Sequence, residues 1–376
     1  MNTRLQVEHP VTELVTGIDL VEQMILSADN KKLAIRQEDI KLNGWSVESR
    51  IYAEDPTKDF LPSIGRVTRY IEPKKIEKDY EVIRNDTGIS PGSEVSLYYD
   101  PMISKLAVHS KDRISAINLM INSLQNYYLS GLENNIDFLI AILEDKKFQK
   151  GEISTNFIKE KFKKGYSSNL TMTDDKRQKF GIIAMLMYAK QSFNLSNVIS
   201  KNFSVKISED YLDIFLNEAA IVDNSLSLLI EINKKKIKVE SSFNLNQKLC
   251  SFKVNEEIFY FKINDLINLH TSDVSFLDCR TTTVVVQSTQ KDLLKLMPKD
   301  AKEDLSKKLI SPMPGLIKSV DVIEGQKVKN ADQLLIIEAM KMENILKSEK
   351  DCVIEKILVK AGDSVSADEE LILFKN

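Results

Sequence analysis

The last part of the chain, residues 309–376, repeats itself once. Residues 315–337 align with residues 352–374 at a constant offset of 37 positions. A unit that occurs only twice does not build a solenoid; it indicates one small domain whose two quasi-equivalent β-halves bury their apolar faces against each other. Gly325 and Gly362 fall at matching positions where turns are expected, and glycine adopts positive φ there at little cost. We therefore predict a two-half β-sandwich for this part of the chain.

A lysine lies in the connection between the two halves. Lys341 is preceded by Met340 and followed by Met342, where the repeat predicts a tight, exposed hairpin. Turns favour Asn, Gly and Asp, whereas methionine normally fills gaps in a core, so the residue types contradict the predicted local structure. Contradictions of this kind are typical of functional sites. The alternative is a solvent-facing lysine beside two methionines that fold back on the sandwich.

The segment around Lys341, together with residues 311–315, resembles the biotinyl carrier domains of biotin-dependent carboxylases. The resemblance implies that a biotin protein ligase joins biotin to Lys341 as an amide, between Met340 and Met342. The arm would then carry a carboxyl group between two active sites. Lipoyl domains share the sandwich but usually have Asp before the lysine and Ala after it. The methionine pair therefore favours biotin, and a lipoyl carrier of an oxoacid dehydrogenase remains an alternative.

Composition and charge restrict the class of protein. The 376 residues suffice for two or three compact units. Because 52 Lys+Arg face 55 Asp+Glu, nothing electrostatic recruits nucleic acid or an anionic membrane. The three cysteines are widely spaced, which indicates a reducing compartment without disulfides or structural zinc. No apolar stretch could span a bilayer and no targeting peptide opens the chain, so we expect a cytoplasmic location and no membrane partner.

From the start to about residue 165, helix and strand patterns alternate. Apolar residues at spacings of three or four predict helices over residues 11–28 and 111–128. Short β-rich runs, such as residues 47–52 and 66–71, lie between them. The patterns indicate a mixed α+β region.

The first ten residues place Asn2, Arg4, Gln6 and Glu8 at alternate positions. On a strand, these side chains would project from one face and form a polar row in a site, although a solvated edge strand fits the pattern as well. Residues 2–13 resemble, almost letter for letter, the active-site strand of biotin carboxylase. The resemblance covers about residues 1–165, which we expect to be the C-terminal lobe of that enzyme, and it continues through residues 49–55, 60–63 and 98–106.

The resemblance assigns a bicarbonate site to the opening segment. Arg4 and Gln6, with the backbone of Val7, would bind bicarbonate, and Glu8 would be the general base that deprotonates it. The chemistry is coherent, because a guanidinium makes paired, charge-assisted bonds to a planar anion while a nearby carboxylate accepts its proton. Arg4 and Glu8 are therefore predicted to be catalytic.

The same resemblance assigns further roles. Arg50 would be catalytic and stabilise negative charge on the enolate of biotin, as a preorganised cation. Asn2 would help to ligate the metal that accompanies ATP. We interpret His9 as a positioning residue, and His109 and His270 have no evident partners in the sequence.

Biotin carboxylases carry an ATP-grasp module ahead of the opening motif, with a glycine-rich loop over the phosphates. This sequence has 12 glycines and no phosphate-loop pattern. We therefore expect ATP and Mg²⁺ or Mn²⁺ to be used only with a missing N-terminal half. The chain as given is expected to be inactive alone and to be a fragment, a split gene product or an eroded gene.

The middle of the chain has a different texture. In residues 166–290, a helical segment precedes short β-rich runs, which predicts a helix with an antiparallel barrel or sandwich. By the family resemblance, this region is the biotin transfer, or docking, domain that contacts a carboxyltransferase β subunit; a spacer is the alternative. Residues 291–308 have the composition of a charged linker, although a short charged helix also fits.

These predictions combine into a multidomain α+β protein: a carboxylase lobe, a docking barrel, a linker and, over residues 309–376, a biotinyl sandwich. Residues 86–106 and 151–155 resemble the α subunits of propionyl-CoA carboxylases. This resemblance implies that ATP and bicarbonate carboxylate biotin, and that a β subunit then converts propionyl-CoA to methylmalonyl-CoA. The alternatives are a catalytically dead biotin carrier and docking module, or a subunit of a methylcrotonyl-CoA or acetyl-CoA carboxylase.

Overall fold

The computed structural model describes residues 2–78, 80–96, 99–163, 165–167, 172–193, 202–222, 225–291, 293, 307–339, 342–348 and 350–375. In chain order these residues form a mixed α+β unit, a barrel with one long helix, and a two-sheet sandwich. Among them, no helix is both long and apolar enough to cross a bilayer. The predicted linker, residues 291–308, lies largely outside the described residues.

The elements have the following bounds. The mixed unit contains α1 (His9–Thr16), α2 (Leu20–Ala28), β1 (Trp45–Tyr52), β2 (Glu54–Asp55), β3 (Leu61–Pro62), β4 (Gly65–Arg66), β5 (Arg69–Ile71), β6 (Ile76–Lys78), β7 (Glu81–Thr87), β8 (Glu94–Val95), β9 (Met102–Ser110), α3 (Arg113–Gln125), β10 (Tyr128–Ser130), α4 (Ile136–Leu143), α5 (Lys146–Lys150) and α6 (Phe157–Lys161). The barrel unit contains α7 (Asp174–Phe193), β11 (Asn202–Ile207), β12 (Asp210–Val222), β13 (Ser225–Ile232), β14 (Lys235–Ser241), β15 (Leu249–Val254), β16 (Glu257–Leu266), β17 (Thr271–Phe276) and β18 (Cys279–Gln287). The sandwich contains β19 (Lys308–Ile310), β20 (Gly315–Val320), β21 (Lys327–Val328), β22 (Gln333–Ala339), β23 (Met342–Lys347), β24 (Cys352–Ile357), β25 (Ser364–Val365) and β26 (Glu370–Lys375).

An antiparallel sheet in the order β1-β9-β7-β6 forms the centre of the mixed unit. Its strand β9 is buried at five consecutive positions, residues 106–110. A strand covered on one face alternates between buried and exposed residues, so this run shows that both faces of β9 are covered. Helices α1 and α3 both contact β9, and α3 contributes Ile117, Met120 and Leu124 to the core.

Residues 11–28 do not form one helix, contrary to the sequence prediction. Helix α1 ends at Thr16 because Gly17 adopts a left-handed φ of 71°. Helix α2 begins after Asp19, whose side chain accepts a 2.9 Å hydrogen bond from the backbone N–H of Glu22. The sequence contains both signals, a glycine that ends one helix and an aspartate that begins the next. The apolar spacing continues across them, and it predicted a single helix.

The opening segment is not a strand, so the prediction of four side chains on one strand face is wrong. The N–H of His9 donates to the carbonyl of Gln6 at 3.2 Å, and that of Val11 donates to the carbonyl of Glu8 at 3.1 Å. Pro10 lies in the first turn of α1, where a backbone N–H would have no hydrogen-bond partner within the helix, so its absence costs nothing. A strand also needs a neighbouring strand for its backbone groups, and among the described residues none pairs with this segment.

The middle unit is a closed antiparallel barrel in which β11 to β18 pair in sequence order and β18 returns to β11. Helix α7 is buried at every position from residue 182 to residue 187, and it contacts five of the strands, β11, β12, β13, β17 and β18. A helix that is apolar on all sides is enclosed on all sides, so the strands pack around α7. The predicted helix with an antiparallel barrel is confirmed; β15 and β17 were not predicted.

The sandwich consists of the sheets β23-β22-β20-β25 and β19-β26-β24-β21. Strands that are 37 residues apart occupy equivalent places in the two sheets: β20 and β24, β22 and β26, and β21 and β25. Because β25 belongs to the first sheet and β21 to the second, each half of the repeat contributes one short strand to the sheet of the other half. The backbone bond from Gly325 to Ile354 has a counterpart from Gly362 to Ile317, both at 2.8 Å. The two glycines have φ values of 82° and 91°. The two-half sandwich is therefore confirmed at the level of individual hydrogen bonds.

A buried ionic cluster joins the mixed unit to the barrel. The Lys176 side chain, at the start of α7, is 7% exposed and lies 2.6 Å from Glu144. It also contacts Asp278, which is fully buried in the turn between β17 and β18. Burial alone would lower the pKa of Lys176, but the two carboxylates raise it. The lysine therefore stays charged and neutralises carboxylates that face each other across the junction.

Replacing Lys176 with methionine is expected to lower the free energy of unfolding by about 3 kcal/mol, because the fully buried Asp278 and the partly buried Glu144 both lose their contact with its ammonium group. Thermal unfolding of the full chain, followed by circular dichroism, measures the change. The matched control is Lys238→Met, which removes an exposed pair with Glu240 and should change stability by less than about 1 kcal/mol. Equal losses in the two variants would contradict the assignment.

Candidate active site

The opening segment and α2 enclose an open cleft of about 430 Å³ that brings together Arg4, Gln6 and Glu8. The strand prediction was wrong, yet these three predicted site residues lie in one place. Asn2 is exposed and does not form part of the wall. The remaining wall is formed by Leu5, His9, Thr12, Leu20, Gln23, Met24, Ser27 and Leu33.

Arg50, on β1, joins this cleft through Glu8. Its Nη2 lies 2.9 Å from Glu8 Oε2, and its Nε lies 3.3 Å from Glu48 Oε1. Glu8 is half-exposed, whereas the Glu48 side chain is 7% exposed. Burial raises the pKa of Glu48, an effect that Arg50 partly offsets. The guanidinium therefore lies between two carboxylates, one of them facing solvent and the other buried.

Lys105 attaches the opening segment to β9. It lies opposite Arg50 in the β1–β9 register. Its ammonium donates to the carbonyl of Val7 at 3.2 Å and lies 3.4 Å from Nε2 of His9. The backbone of Val7, which we predict to bind bicarbonate, is thus held by a side chain from the sheet.

Glu13, on α1, connects the segment to β7. Its Oε2 accepts a 2.8 Å hydrogen bond from Arg84 and lies 3.2 Å from Nδ1 of His9, and its Oε1 accepts the Leu20 N–H at 2.9 Å. Burial raises the pKa of Glu13, but Arg84 and the Leu20 N–H outweigh burial and hold that pKa below its usual value. The side chains of Glu13 and His9 are about one-tenth exposed. His9 is therefore packed against the base of the cleft.

The other two histidines bind backbone carbonyl groups, which the sequence did not reveal. His109 Nε2 lies 2.8 Å from the carbonyl oxygen of Asn43, and His270 Nδ1 lies 3.0 Å from that of Val285. In the described part of the chain, no three His, Cys, Asp or Glu side chains group closely enough to hold a metal ion. The metal role of Asn2 stays a prediction.

The predicted attachment site lies in the sandwich. Met340 and Lys341 lie outside the described residues, as does the side chain of Met342. The strands on either side are described: β22 and β23 are antiparallel neighbours, with Ala339 opposite Met342. Gly315 passes so close to β22 that a Cβ atom there would lie 2.6 Å from Ile337. Gly315 of the predicted motif therefore packs directly against the strand that leads to Lys341.

Three protein-family models match separate parts of the chain. The model for the biotin carboxylase C-terminal domain matches residues 48–160, and the model for biotin-requiring enzymes matches residues 307–374. The ATP-binding domain of the carbamoyl-phosphate synthase L chain matches residues 1–36.

Curated relatives match along the whole chain. The propionyl-CoA carboxylase alpha chain of Ruegeria pomeroyi is 37% identical over 397 residues, covering 100% of this chain and 58% of its own length. The human mitochondrial propionyl-CoA carboxylase alpha chain is 37% identical over 385 residues, covering 99% of this chain and 52% of its own. Along its whole length the chain is similar to these biotin-dependent carboxylases. It spans a little over half the length of these curated relatives.

Other biotin-dependent carboxylases are also similar. The methylcrotonoyl-CoA carboxylase alpha subunit of Dictyostelium discoideum is 31% identical over 397 residues, with 99% of this chain and 54% of that protein covered. The solved biotin carboxylase domain of the 2-oxoglutarate carboxylase of Hydrogenobacter thermophilus has 43% sequence identity and a TM-score of 0.40, covering 42% of this chain and 34% of that one. The match of residues 307–374 to the model for biotin-requiring enzymes confirms biotin as the cofactor, while the roles of the individual site residues stay predictions.

Sequence reasoning missed the residues that hold the site together. Glu48 precedes Arg50 by two positions, so period-two geometry on β1 places both on one face of the strand. Lys105 belongs to a segment that carried the family resemblance, but its contact with Val7 depends on the β1–β9 register. Arg84 had no signal in the sequence, because its contact with Glu13 joins residues 71 positions apart.

The contacts of Glu13 predict a pH dependence. Because the folded-state pKa is below the ordinary value of 4.5, these contacts stabilise the protein above that value and are lost as the pH falls through the folded-state pKa. Hydrogen exchange should show the protection factor of the Leu20 amide falling on acidification. In Glu13→Gln, which can still accept the bond but carries no charge, the fall should be smaller. The exposed control Glu38→Gln should behave as the wild type, and an unchanged acid response in Glu13→Gln would refute the assignment.

Proposed function

We propose that the chain is the biotin-carboxylating and biotin-carrying part of an acyl-CoA carboxylase that acts on propionyl-CoA. The observation that supports it most is the cleft in which Arg4, Gln6 and Glu8 converge while Arg50 pairs with Glu8. The choice of acyl group follows the relatives, since two propionyl-CoA carboxylase alpha chains are 37% identical and the methylcrotonoyl-CoA relative is 31% identical.

The geometry of the cleft suits bicarbonate. Arg4 is exposed and can offer a paired donor edge to a planar anion. Glu8 is half-exposed, so an anion can approach its carboxylate, which can accept a proton. ATP and its Mg²⁺ or Mn²⁺ would be bound by the ATP-binding domain of the family, whose model matches residues 1–36, with Asn2 as a metal ligand.

Biotin on Lys341 supplies a ureido nitrogen that accepts and carries the carboxyl group. Arg50 would lie where negative charge develops on the ureido oxygen. The described strands suit such an arm, because β22 ends at Ala339 and its antiparallel neighbour β23 begins at Met342, so Lys341 belongs to a two-residue connection between paired strands.

The barrel would dock the carboxyltransferase β subunit, and a biotin protein ligase would modify the sandwich. The strands enclose the middle of α7, which is buried at every position from residue 182 to residue 187, so a partner would meet the outer face of the barrel. Exposed apolar side chains on that surface suit a protein partner: Phe215, Ile221, Ile258 and Ile267.

Protein made in cells that contain a biotin protein ligase should be captured by streptavidin and should carry one biotinyl group by mass spectrometry. Lys341→Arg should abolish capture, because arginine keeps the charge but cannot form the amide. The control Lys347→Arg, an exposed lysine on β23, should be captured as the wild type is. A lipoyl mass increment at position 341, or capture of Lys341→Arg, would refute the attachment.

Glu8→Gln should lower bicarbonate-dependent ATP cleavage by the carboxylase that contains this chain by about 10²–10⁴-fold, because an amide cannot accept the proton. The matched control is Glu22→Gln on α2, which is exposed and should leave turnover unchanged. Undiminished turnover in Glu8→Gln would exclude it as the base. No turnover in the wild type would favour a biotin carrier without carboxylase activity.

A further inference from the structure

Arg50 is held from two sides by carboxylates of different character. Glu8 comes from the irregular opening segment, and its side chain is 53% exposed. Glu48 comes from the same strand as Arg50, and its side chain is 7% exposed. Glu8 contacts the Nη2 end of the guanidinium, whereas Glu48 contacts Nε, next to the aliphatic stem. The pair between Glu8 and Arg50 can therefore break during the reaction, whereas the contact between Glu48 and Arg50 is fixed because both residues belong to β1.

The burial of Glu48 calls for a functional explanation. Its Oε2 atom is buried, and no donor in the described part of the chain reaches it. Burying a carboxylate oxygen without a partner costs free energy, so the stability of the strand does not by itself explain a glutamate at this position. Buried polar groups that are retained without full hydrogen bonding are enriched at functional sites.

We infer that Glu48 is a positioning residue that fixes the Arg50 guanidinium against β1 and so keeps its Nη atoms directed toward the cleft. This inference rests on the proposed function, in which Arg50 meets the ureido oxygen of biotin. A guanidinium must be held before charge develops if it is to stabilise that charge without reorganisation. The bond to Nε restricts rotation of the stem and leaves the outer nitrogens to other partners.

The need for this second carboxylate follows from the role of Glu8. When Glu8 takes the proton from bicarbonate, it loses its charge, and its ion pair with Arg50 is weakened at the moment when Arg50 must be in place. Glu48 is shielded from bicarbonate by its burial and keeps its contact through that change. The charged groups around it are Arg50 on β1, Glu8 in the opening segment and Lys105 on β9. Lys105 is itself engaged with the carbonyl of Val7.

The test compares two half-reactions of the full carboxylase that contains this chain. Glu48→Leu removes the contact, and Glu48→Gln keeps an acceptor oxygen for Nε. Carboxylation of biotin on Lys341 should fall at least about tenfold in Glu48→Leu and recover in part in Glu48→Gln. Bicarbonate-dependent ATP cleavage in a Lys341→Arg background, which needs no biotin, should change by less than about twofold. The matched control is Glu54→Leu, a partly buried glutamate on β2 whose pKa burial also raises.

A second measurement does not depend on activity. In the folded protein, the ¹⁵N signal of Arg50 Nε should show faster hydrogen exchange in Glu48→Leu than in the wild type or in Glu54→Leu. Equal loss of both half-reactions would show a merely structural role, and unchanged exchange at Nε would show that Glu48 does not hold the side chain; either result overturns the inference. If the wild type cleaves no ATP, the proposed function fails, while the exchange measurement still decides whether Glu48 holds Arg50.

Discussion

Charged contacts from the β1–β9 ladder attach the opening segment to the sheet, and the candidate site depends on them. Arg50 and Lys105 lie opposite each other in register, so the ladder presents two cations side by side. One reaches Glu8 and the other reaches the carbonyl of Val7. The segment itself has no regular structure between its first described residue and α1. Its geometry is therefore imposed by side chains of the sheet rather than by its own backbone pairing.

These contacts differ in strength for a physical reason. The pair between Glu8 and Arg50 is partly exposed, and an isolated pair of that kind stabilises a protein by less than about 1 kcal/mol. The contacts of Glu13 with Arg84 and His9 are more buried and lie beneath the segment. The segment is thus held strongly by the buried contacts of Glu13 and weakly by the exposed pair of Glu8, the proposed base, with Arg50. That arrangement suits a site in which one carboxylate must exchange its partners during turnover.

The barrel and the sandwich are stabilised in different ways. Lys176 and its two carboxylates bind the barrel to the mixed unit by charges that are expensive to separate once buried. The sandwich is stabilised within itself: Leu334 and Leu371, at equivalent places in the two halves, are both fully buried. A carrier that closes its own core can move as a unit without exposing apolar surface. Firm attachment of the barrel and a closed core within the sandwich suit the docking and carrier roles proposed for these units.

The amino-acid sequence by itself determined the parts whose signals are local or periodic. The 37-residue repeat predicted the C-terminal sandwich, closely spaced β-rich runs predicted a barrel or sandwich in the middle region, and the family resemblance singled out Arg4, Glu8 and Arg50. Only the tertiary structure decided how those residues meet: it replaced the predicted opening strand with a turn, brought Arg50 to Glu8, and brought Lys105 to the carbonyl of Val7. The reason is that strand pairing and ion pairing join residues far apart in the chain. Their partners depend on register and burial, which no short window of sequence contains.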